Sequence, residues 1–509
     1  MATTSRPFAE RRLAALAAAG LLALPGVGQA ERWELRPAAS AQLLHTSNSD
    51  LSVNGRPDTV LSVRPQLAIN AEGSRLRLGG SIGLEAVSYV QGTQDDRVLP
   101  QVDLNGRLEA IERLFFIEAG YRVAQVAADP FGVRTEPGST TNIVTTRTAR
   151  LSPSLQGGSP GGLSFRLGAD LMQLRQNDSN GVASDASGSY SQFGGRIEMP
   201  ARPVGWRLQA DRSVSSYDNP DKPSVRTGDL LAAVTYALND DLVAGVHGGR
   251  EAENVDGPQK WHGTSGVELK WTPSQRTTLS ASRDKRFFGH AWQLEFNHRM
   301  PFLAWNFGLS RAIDTTPQTL FLLPPSGDVA GLLDSIFTTR YPDPTERAKV
   351  VREVIERNGL ATSTAGPVNL LGQRLSLTTR RRLSLALNGA VNTLALGVFS
   401  ARTEDLLTAN PLSVGTAEAN NTQHGWSASL THRLDARSAV SVSLDRTQIR
   451  ALPGFGDSRT NQRGLRGEYN VQVGPRSNVV AGLRYRSIDS TSTSEGDEKA
   501  VYVGLDHRF

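Results

Sequence analysis

The sequence predicts an all-β fold: a transmembrane, antiparallel, up-and-down β-barrel of about 22 strands, with a small helical insert in one loop. Three observations support this prediction. Runs of roughly ten to fourteen residues alternate between apolar and polar side chains, a length that matches a tilted membrane crossing. Short turns alternate with longer polar loops, and the final strand, Lys499 to Phe509, ends on an aromatic residue.

The final strand shows this alternation clearly. Val501, Val503 and Leu505 share one face, and a period of two is typical of a strand with two unlike faces. A last strand that ends in Phe509 resembles the segment with which bacterial outer-membrane barrels close and which their insertion machinery reads. His507 departs from that pattern, because an aromatic residue is more usual at its position. The alternative is an ordinary edge strand of a soluble sheet.

Residues 1–30 have the pattern of a secretory signal peptide. Arginines precede a short apolar segment, Leu13–Leu24, and the small residues of Val27–Ala30 suit a cleavage site. This predicts a mature outer-membrane barrel over residues 31–509, interrupted by a helical loop insert at 314–366. An amphipathic soluble helix is the alternative for the first segment.

The composition excludes several classes of protein. No apolar run is long enough for a transmembrane helix. The chain has no cysteine, so it contains neither a disulfide framework nor thiol chemistry. A net charge of +5 is too small to indicate nucleic acid as a partner. Modest hydropathy fits a barrel, because only every second strand residue faces lipid.

The alternating runs form hairpins from Trp33 onward. Soluble sandwiches have shorter strands, of about five or six residues, and a closed barrel leaves no exposed sheet edge in lipid. An even number of strands puts both termini in the periplasm. The runs are 60–70 with 75–86, 100–112 with 114–127, 144–155 with 163–175, 190–199 with 204–217, 225–238 with 242–251, 261–271 with a turn at 272–275, 292–300 with 303–309, 383–387 with 394–398, 426–434 with 440–444, 465–473 with 479–485, and 499–509.

The tryptophans are expected near strand ends, where they form girdles at the two membrane interfaces. Scattered core packing is the alternative. The seven are Trp33, Trp206, Trp261, Trp271, Trp292, Trp305 and Trp426.

Residues 314–366 break the alternation and predict two helices. The first covers Asp328–Arg340, and the second begins with Asp343 as its cap and ends at Asn358–Gly359. Each helix has one apolar stripe, which needs a partner on the other helix or on the barrel wall. The stripes are Leu332, Leu333, Ile336 and Phe337, and then Val350, Val351, Val354 and Ile355.

The position of the insert follows from strand parity, which places its connection on the outer side of the membrane. We expect the insert either to cover the mouth or to fold into the lumen, as a plug or lid; a decorated loop without such a role is the alternative. Arg380–Arg382 fall within a predicted strand. Either that strand begins later, or these residues lie at the interfacial rim, because an arginine facing lipid at the midplane costs about 2–4 kcal/mol.

The lumen face should carry charges of both signs, which indicates a hydrated interior suited to a polar solute or polymer. Its members are Arg207, Asp211, Glu295, Arg299, Arg466, Glu468, Arg484 and Arg486. No triad, nucleophile elbow, phosphate loop or metal-binding spacing is found in the sequence. We therefore predict no catalytic, cofactor-binding or metal-binding residue, no cofactor, and no enzyme activity.

Several segments resemble the outer-membrane β-barrel proteins associated with the PEP-CTERM and exosortase system. This resemblance implies an outer-membrane protein that works alongside exopolysaccharide biosynthesis and export in Gram-negative bacteria, and it implies no functional residues. The segments are Trp261, Trp271–Ser274, Arg276–Thr277, Arg286–Gly289, His298–Arg299 and Trp305, with Asp343–Pro344, Arg347 and Gly359 in the insert.

The leading hypothesis is a channel or export component in the bacterial outer membrane. Its expected partners are outer-membrane lipid, the insertion machinery, and polysaccharide or its export apparatus. A plugged structural or adhesion barrel is one rival, and a membrane-embedded hydrolase is another.

Overall fold

The structure is a computed structural model that describes residues 32–133, 142–159, 161–177, 187–218, 224–254, 257–315, 329–358, 375–406, 417, 419–491 and 495–509. The signal peptide predicted at residues 1–30 lies outside the described residues, and so do parts of the long loops. The domain boundaries at 31–509 and 314–366 remain predictions.

The described residues form 22 strands in one sheet, each antiparallel to the next in the chain. They are β1 (Arg32–Thr46), β2 (Asp58–Glu72), β3 (Leu76–Tyr89), β4 (Arg97–Ile111), β5 (Phe115–Ala127), β6 (Ile143–Gly158), β7 (Ser164–Asn177), β8 (Gly188–Met199), β9 (Val204–Tyr217), β10 (Val225–Ala237), β11 (Leu242–Glu253), β12 (Lys260–Ser274), β13 (Thr277–Arg286), β14 (Gly289–Arg299), β15 (Leu303–Thr315), β16 (Leu375–Asn388), β17 (Asn392–Asp405), β18 (Asn421–Arg433), β19 (Ser438–Ala451), β20 (Arg459–Gly474), β21 (Ser477–Ser490) and β22 (Glu495–Arg508).

The first and last strands close the barrel. They pair antiparallel over residues 38–46 and 500–508. Phe509 extends this seam, because its backbone N–H donates to the Pro37 carbonyl at 3.0 Å, and its ring meets His507 edge-on with 4.8 Å between ring centroids. The predicted closed antiparallel barrel is therefore confirmed, and no strand edge is left for lipid to face.

The two faces of the wall differ as the alternation predicts. On β22 the apolar Val501, Val503 and Leu505 are 48–51% exposed on the outside, whereas Glu498 and Tyr502 are buried on the inside. All seven tryptophans occupy outward positions, most of them near strand ends, although Trp426 lies mid-strand. A closed antiparallel barrel with an apolar belt and a polar interior is the architecture of bacterial outer-membrane proteins, and this chain is one.

The two rims differ in loop length. Connections at one rim are short, such as 475–476 between β20 and β21, and those at the other are mostly long, such as 128–142 between β5 and β6. Short turns belong to the periplasmic side, so both described chain ends lie at the periplasmic rim. One extracellular connection departs from the expected asymmetry: only Phe287–Phe288 join β13 to β14.

One detail of the predicted strands is wrong, and one of the two alternatives for another strand is excluded. The turn placed at 272–275 is narrower, because β12 runs to Ser274 with a register irregularity after Trp271, and only 275–276 connect it to β13. The strand containing Arg380–Arg382 does not begin later, because β16 starts at Leu375. None of the helices among the described residues is long and apolar enough to cross a bilayer.

The three arginines therefore lie in the middle of a strand. Arg380 and Arg382 point inward, where they pair with Asp314 at 2.6 Å and with Glu295 at 3.4 Å. Arg381 points outward and is exposed.

Candidate functional site: the lumen and its helical insert

Two helices form the described part of the insert, α1 (Val329–Phe337) and α2 (Pro344–Asn358). The predicted start of α2 is confirmed, because Asp343 Oδ1 accepts the backbone N–H of Glu346 at 2.9 Å and so satisfies one of the free donors of the first turn. The first helix is shorter than predicted, since it ends at Phe337 and residues 338–340 form a turn.

The apolar stripes of the two helices face each other and the barrel wall. Leu332, Phe337, Val354 and Ile355 are half-buried against the same cluster, whereas Val350 is not part of it. The buried cluster consists of Val329, Leu333 and Ile336 from α1, Val351 from α2, and Ala304, Ala386 and Ala395 from β15, β16 and β17.

The three wall alanines show where the helices lie. Ala386 alternates with the exposed, outward Leu383 and Leu387, so its side chain points into the lumen. It pairs with Ala304 and Ala395 on the neighbouring strands, and all three residues lie beside the short periplasmic turns. The helices, which enter from the extracellular rim, are therefore folded into the periplasmic half of the lumen. Of the two expected positions, the mouth and the lumen, the structure shows the second.

Polar contacts hold the helix pair in place. Arg347 of α2 donates from Nε to Asp334 of α1 at 2.8 Å, and from Nη1 to the Tyr341 carbonyl at 3.0 Å. Arg299, on the inner wall at the periplasmic end of β14, donates to Thr339 at 3.3 Å. These contacts tie the segment between the helices to the barrel wall.

A cavity of about 290 Å³ remains between α1 and the wall. Asn297, Asn306 and Arg382 contribute from the strands, and Gly331 and Ser335 from the helix. Asn306 Oδ1 accepts a hydrogen bond from Arg382 Nε at 3.2 Å. The space beside the helix thus has amides and charge in its lining, next to the apolar Leu332, whereas the contact below it is wholly apolar.

The inward face elsewhere carries paired charges. Glu498, only 1% exposed, accepts from Arg484 at 2.7 Å, from Arg486 at 2.5 Å and from Thr46 at 2.8 Å. The residues predicted to line the lumen all lie on the inward face, because the residues that flank each of them in its strand point outward. Among them, Arg207 forms an ion pair with Glu268 at 2.6 Å, and Glu468 accepts a hydrogen bond from the Tyr502 hydroxyl at 2.5 Å.

The wall formed by β5 to β9 is polar along its inner surface. Arg150 donates to Asp170 at 2.6 Å, and Gln209 donates to Asp211 at 2.7 Å. These side chains, with Arg196, line a groove of about 270 Å³ that is open to the lumen. Fixed donors and acceptors of both signs suit a hydrated polar solute.

A second segment enters the lumen at the extracellular end. The carbonyl of Phe131, in the β5–β6 loop, accepts from Thr460 Oγ1 at 2.7 Å, and the carbonyl of Gly132 accepts from Gln462 Nε2 at 2.8 Å. Both donors are inward residues of β20, which lies eight strands around the barrel from β6. Phe131 is 1% exposed, and Val133 packs with Leu51 and Ile488.

Asn142 shapes this loop from within. Its side-chain Nδ2 donates to the carbonyls of Asp129 and Val133 at 2.8 and 2.9 Å, and its Oδ1 accepts the Asp129 backbone N–H at 2.8 Å. The sequence analysis missed the anchoring of this loop, which the apolar Phe131 within a polar loop could have signalled. Among the described residues no group of three His, Asp or Glu side chains is arranged to hold a metal ion.

Comparison with known proteins shows likeness of fold. Neither a family model nor a curated protein matches the sequence. Solved structures do, among them the FrpB iron transporter from Neisseria meningitidis (TM-score 0.47, 10% identity, 93% of this chain and 81% of that chain). The siderophore receptor PirA from Acinetobacter baumannii matches with TM-score 0.48 and 9% identity, over 94% of this chain and 80% of that chain.

A third solved structure is also similar. OccK2 (OpdF) from Pseudomonas aeruginosa, in complex with glucuronate, matches with TM-score 0.36 and 11% identity, over 94% of this chain and 98% of that chain.

Proposed function

We propose that this barrel is an outer-membrane conduit for a polar, hydrated solute, and that α1 and α2 form a plug that restricts its periplasmic half. The observation that carries the proposal is the docking of both apolar helix stripes on Ala304, Ala386 and Ala395 of the inner wall. Small side chains at these positions let the helices approach the wall closely, so the plug is fitted to this part of the wall.

The chemistry of the free wall supports a polar solute. Ion pairs such as Arg150–Asp170 and Arg207–Glu268 leave charge of both signs facing the lumen. The resemblance to exosortase-associated barrels makes an exopolysaccharide the substrate class to test first, and this link remains a prediction. Association with the insertion machinery and with an export apparatus likewise remains a prediction, and we propose no enzyme activity.

Single-channel conductance in planar bilayers tests the plug. A variant in which a short glycine-serine linker replaces residues 316–374 should conduct several-fold better than the intact protein, because the periplasmic half of the lumen is then free. A control that shortens the connection at 407–416 should leave conductance unchanged. An unchanged trace for the first variant would overturn the proposal of a conduit that this plug restricts.

A permanently closed surface barrel is the second candidate, and the anchoring of Phe131 and Gly132 on β20 favours it, because this segment occupies the other end of the lumen. The two functions differ in one measurement. A conduit conducts in the intact protein, whereas a closed barrel conducts only after both the helical insert and the β5–β6 loop are removed.

A further inference from the structure

The outward face of strands β6 to β20 is divided by charge. Near the periplasmic turns its positions are uncharged, whereas the extracellular half carries a set of cations that we call the basic girdle. In these strands every acidic residue except Glu404 points inward. The basic girdle consists of Arg147, Arg175, Arg212, Arg226, Arg250, Arg283, Lys285, Arg311, Arg381, Arg402, Arg446, Arg450, Arg459 and Arg463.

The register brings like charges together in this girdle. Arg446 of β19 lies directly opposite Arg463 of β20, and Arg450 lies opposite Arg459. Like charges in directly opposed positions destabilise a sheet. Arg459 has an acidic partner in Asp489 at 3.8 Å, whereas no carboxylate among the described residues pairs with Arg446 or Arg463. An anion from outside the chain would therefore relieve the repulsion between Arg446 and Arg463.

One groove concentrates these features. It crosses β16 to β19 on the outer surface, with a volume of about 400 Å³, and Arg381 and Arg446 lie on its two sides. Ser400, His424 and Gln448 add polar atoms, and Trp426 provides an apolar floor.

Both arginines of the groove have N–H groups that donate no hydrogen bond to the described residues. Among the described residues none forms a hydrogen bond or ion pair with Arg381, whereas its neighbours Arg380 and Arg382 both pair inward. Arg446 uses its Nε, which donates to Asn461 at 3.1 Å. The planar fork of an arginine matches two oxygens of a phosphate group.

The height of the groove within the membrane indicates which anion can reach it. From the outward Leu387 to Arg381 the strand advances by roughly 20 Å at about 3.4 Å per residue. A tilt of about 40° reduces this to about 15 Å of height, within an apolar belt that is about 25 Å tall. Arg381 therefore lies inside the upper part of the belt and extends toward the headgroup level, where lipid phosphates are the anions present.

We propose that the groove across β16 to β19 binds the phosphate group of a phosphorylated lipid of the outer leaflet. Arg381 and Arg446 hold the phosphate between them, and the lipid's acyl chains lie along the apolar face that begins at Val398 and Trp426. The site is independent of the lumen and of any solute that passes through it.

Lipid binding to the detergent-purified, full-length protein tests this site. Native mass spectrometry is used to compare diphosphoryl lipid A with the same lipid after removal of its phosphates, and inorganic phosphate serves as a competitor. The intact protein should retain diphosphoryl lipid A in preference to the dephosphorylated form, and inorganic phosphate should not displace it. Equal retention of the two lipids, or displacement by inorganic phosphate at concentrations comparable to the lipid, would overturn the proposal.

Variants locate the site. Arg381→Gln combined with Arg446→Gln should weaken binding of diphosphoryl lipid A about tenfold or more, since charge-assisted hydrogen bonds are lost. Arg212→Gln removes one cation of the basic girdle far from the groove and should leave the binding of diphosphoryl lipid A unchanged. Equally weakened binding by this variant would show that the lipid is attracted by the whole basic girdle and not by a defined site. Arg381→Lys keeps the charge but loses the planar fork, so its binding of diphosphoryl lipid A should lie between that of the double variant and that of Arg212→Gln. Heat-modifiable gel mobility reports on folding in every variant.

Discussion

The two ends of the lumen are occupied in different ways. At the periplasmic end, α1 and α2 press apolar side chains onto wall alanines. At the extracellular end, residues 129–133 have a single apolar anchor, Phe131, and two hydrogen bonds from β20 to backbone carbonyls. Water competes for hydrogen bonds but not for apolar contacts, so the net strength of the two attachments differs. The extracellular loop should open more easily than the helix pair.

The largest expected effect comes from a charge placed within the helix contact. Leu333 is fully buried, so Leu333→Asp loses about 2–5 kcal/mol of packing and adds a desolvation penalty of several more. The helices should leave the wall. Conductance should rise and the amides of α1 should exchange at least about two orders of magnitude faster. Ala348→Asp, at an exposed position of α2, is the matched control and should change neither.

Removing the apolar anchor of the loop should have the next largest effect. Phe131→Ala should weaken the free energy of loop docking by about 3–5 kcal/mol. Hydrogen exchange of residues 129–133 should therefore accelerate. Exchange in α1 should not change. A parallel acceleration in α1 would show that the two ends of the lumen are coupled and do not open independently.

Single hydrogen bonds at the extracellular end should matter less. Thr460→Val and Gln462→Leu each remove one donor to the loop, and each should weaken docking by about 0.5–1.5 kcal/mol. Exchange rates of the same loop amides measure this effect. A loss as large as that of Phe131→Ala would mean that the loop depends on its polar contacts as much as on its apolar anchor.

The smallest effect concerns a periplasmic turn, and it serves as a baseline remote from both ends of the lumen. The Ser438 hydroxyl, which donates to Asp435 at 2.7 Å, helps to hold the pKa of that carboxyl below its ordinary value of 3.8. A carboxyl with a lowered pKa stabilises the folded state at a pH above its ordinary pKa. This stabilisation is lost as the pH falls through the folded-state pKa. Urea unfolding in micelles should show a slightly steeper loss of stability below pH about 4 for the intact protein than for Asp435→Asn.

Much of the fold could be predicted because a β-barrel is determined by local periodicity. Alternation over residues such as Val501 and Leu505 assigns each side chain to lipid or lumen, and the cap at Asp343 defines the start of α2. How deep the insert lies in the lumen could not be predicted in this way. No local pattern shows that Leu333 would meet Ala386 at the far end of the lumen, because that contact depends on the path of the insert through the barrel.

The extracellular loop was harder still to predict. The hydrogen bond from Thr460 to Phe131 joins residues 329 positions apart, and nothing near either residue points to the other. Arg381 shows a similar limit: alternation assigns it to the lipid face, but the cost of an arginine there left two alternatives, a strand that begins later or a position at the interfacial rim. The register across β15 to β17 was needed to show that the strand accepts it.

The seam between β1 and β22 also bears on the order of assembly. The wall on which the helices dock comes from β15 to β17, which flank the insert along the chain, whereas the seam joins residues more than four hundred positions apart. Contacts between nearby segments form faster than contacts between distant ones. The helix pair can therefore settle on an open sheet while the ring is incomplete, and closing the seam then encloses a plug that is already in place.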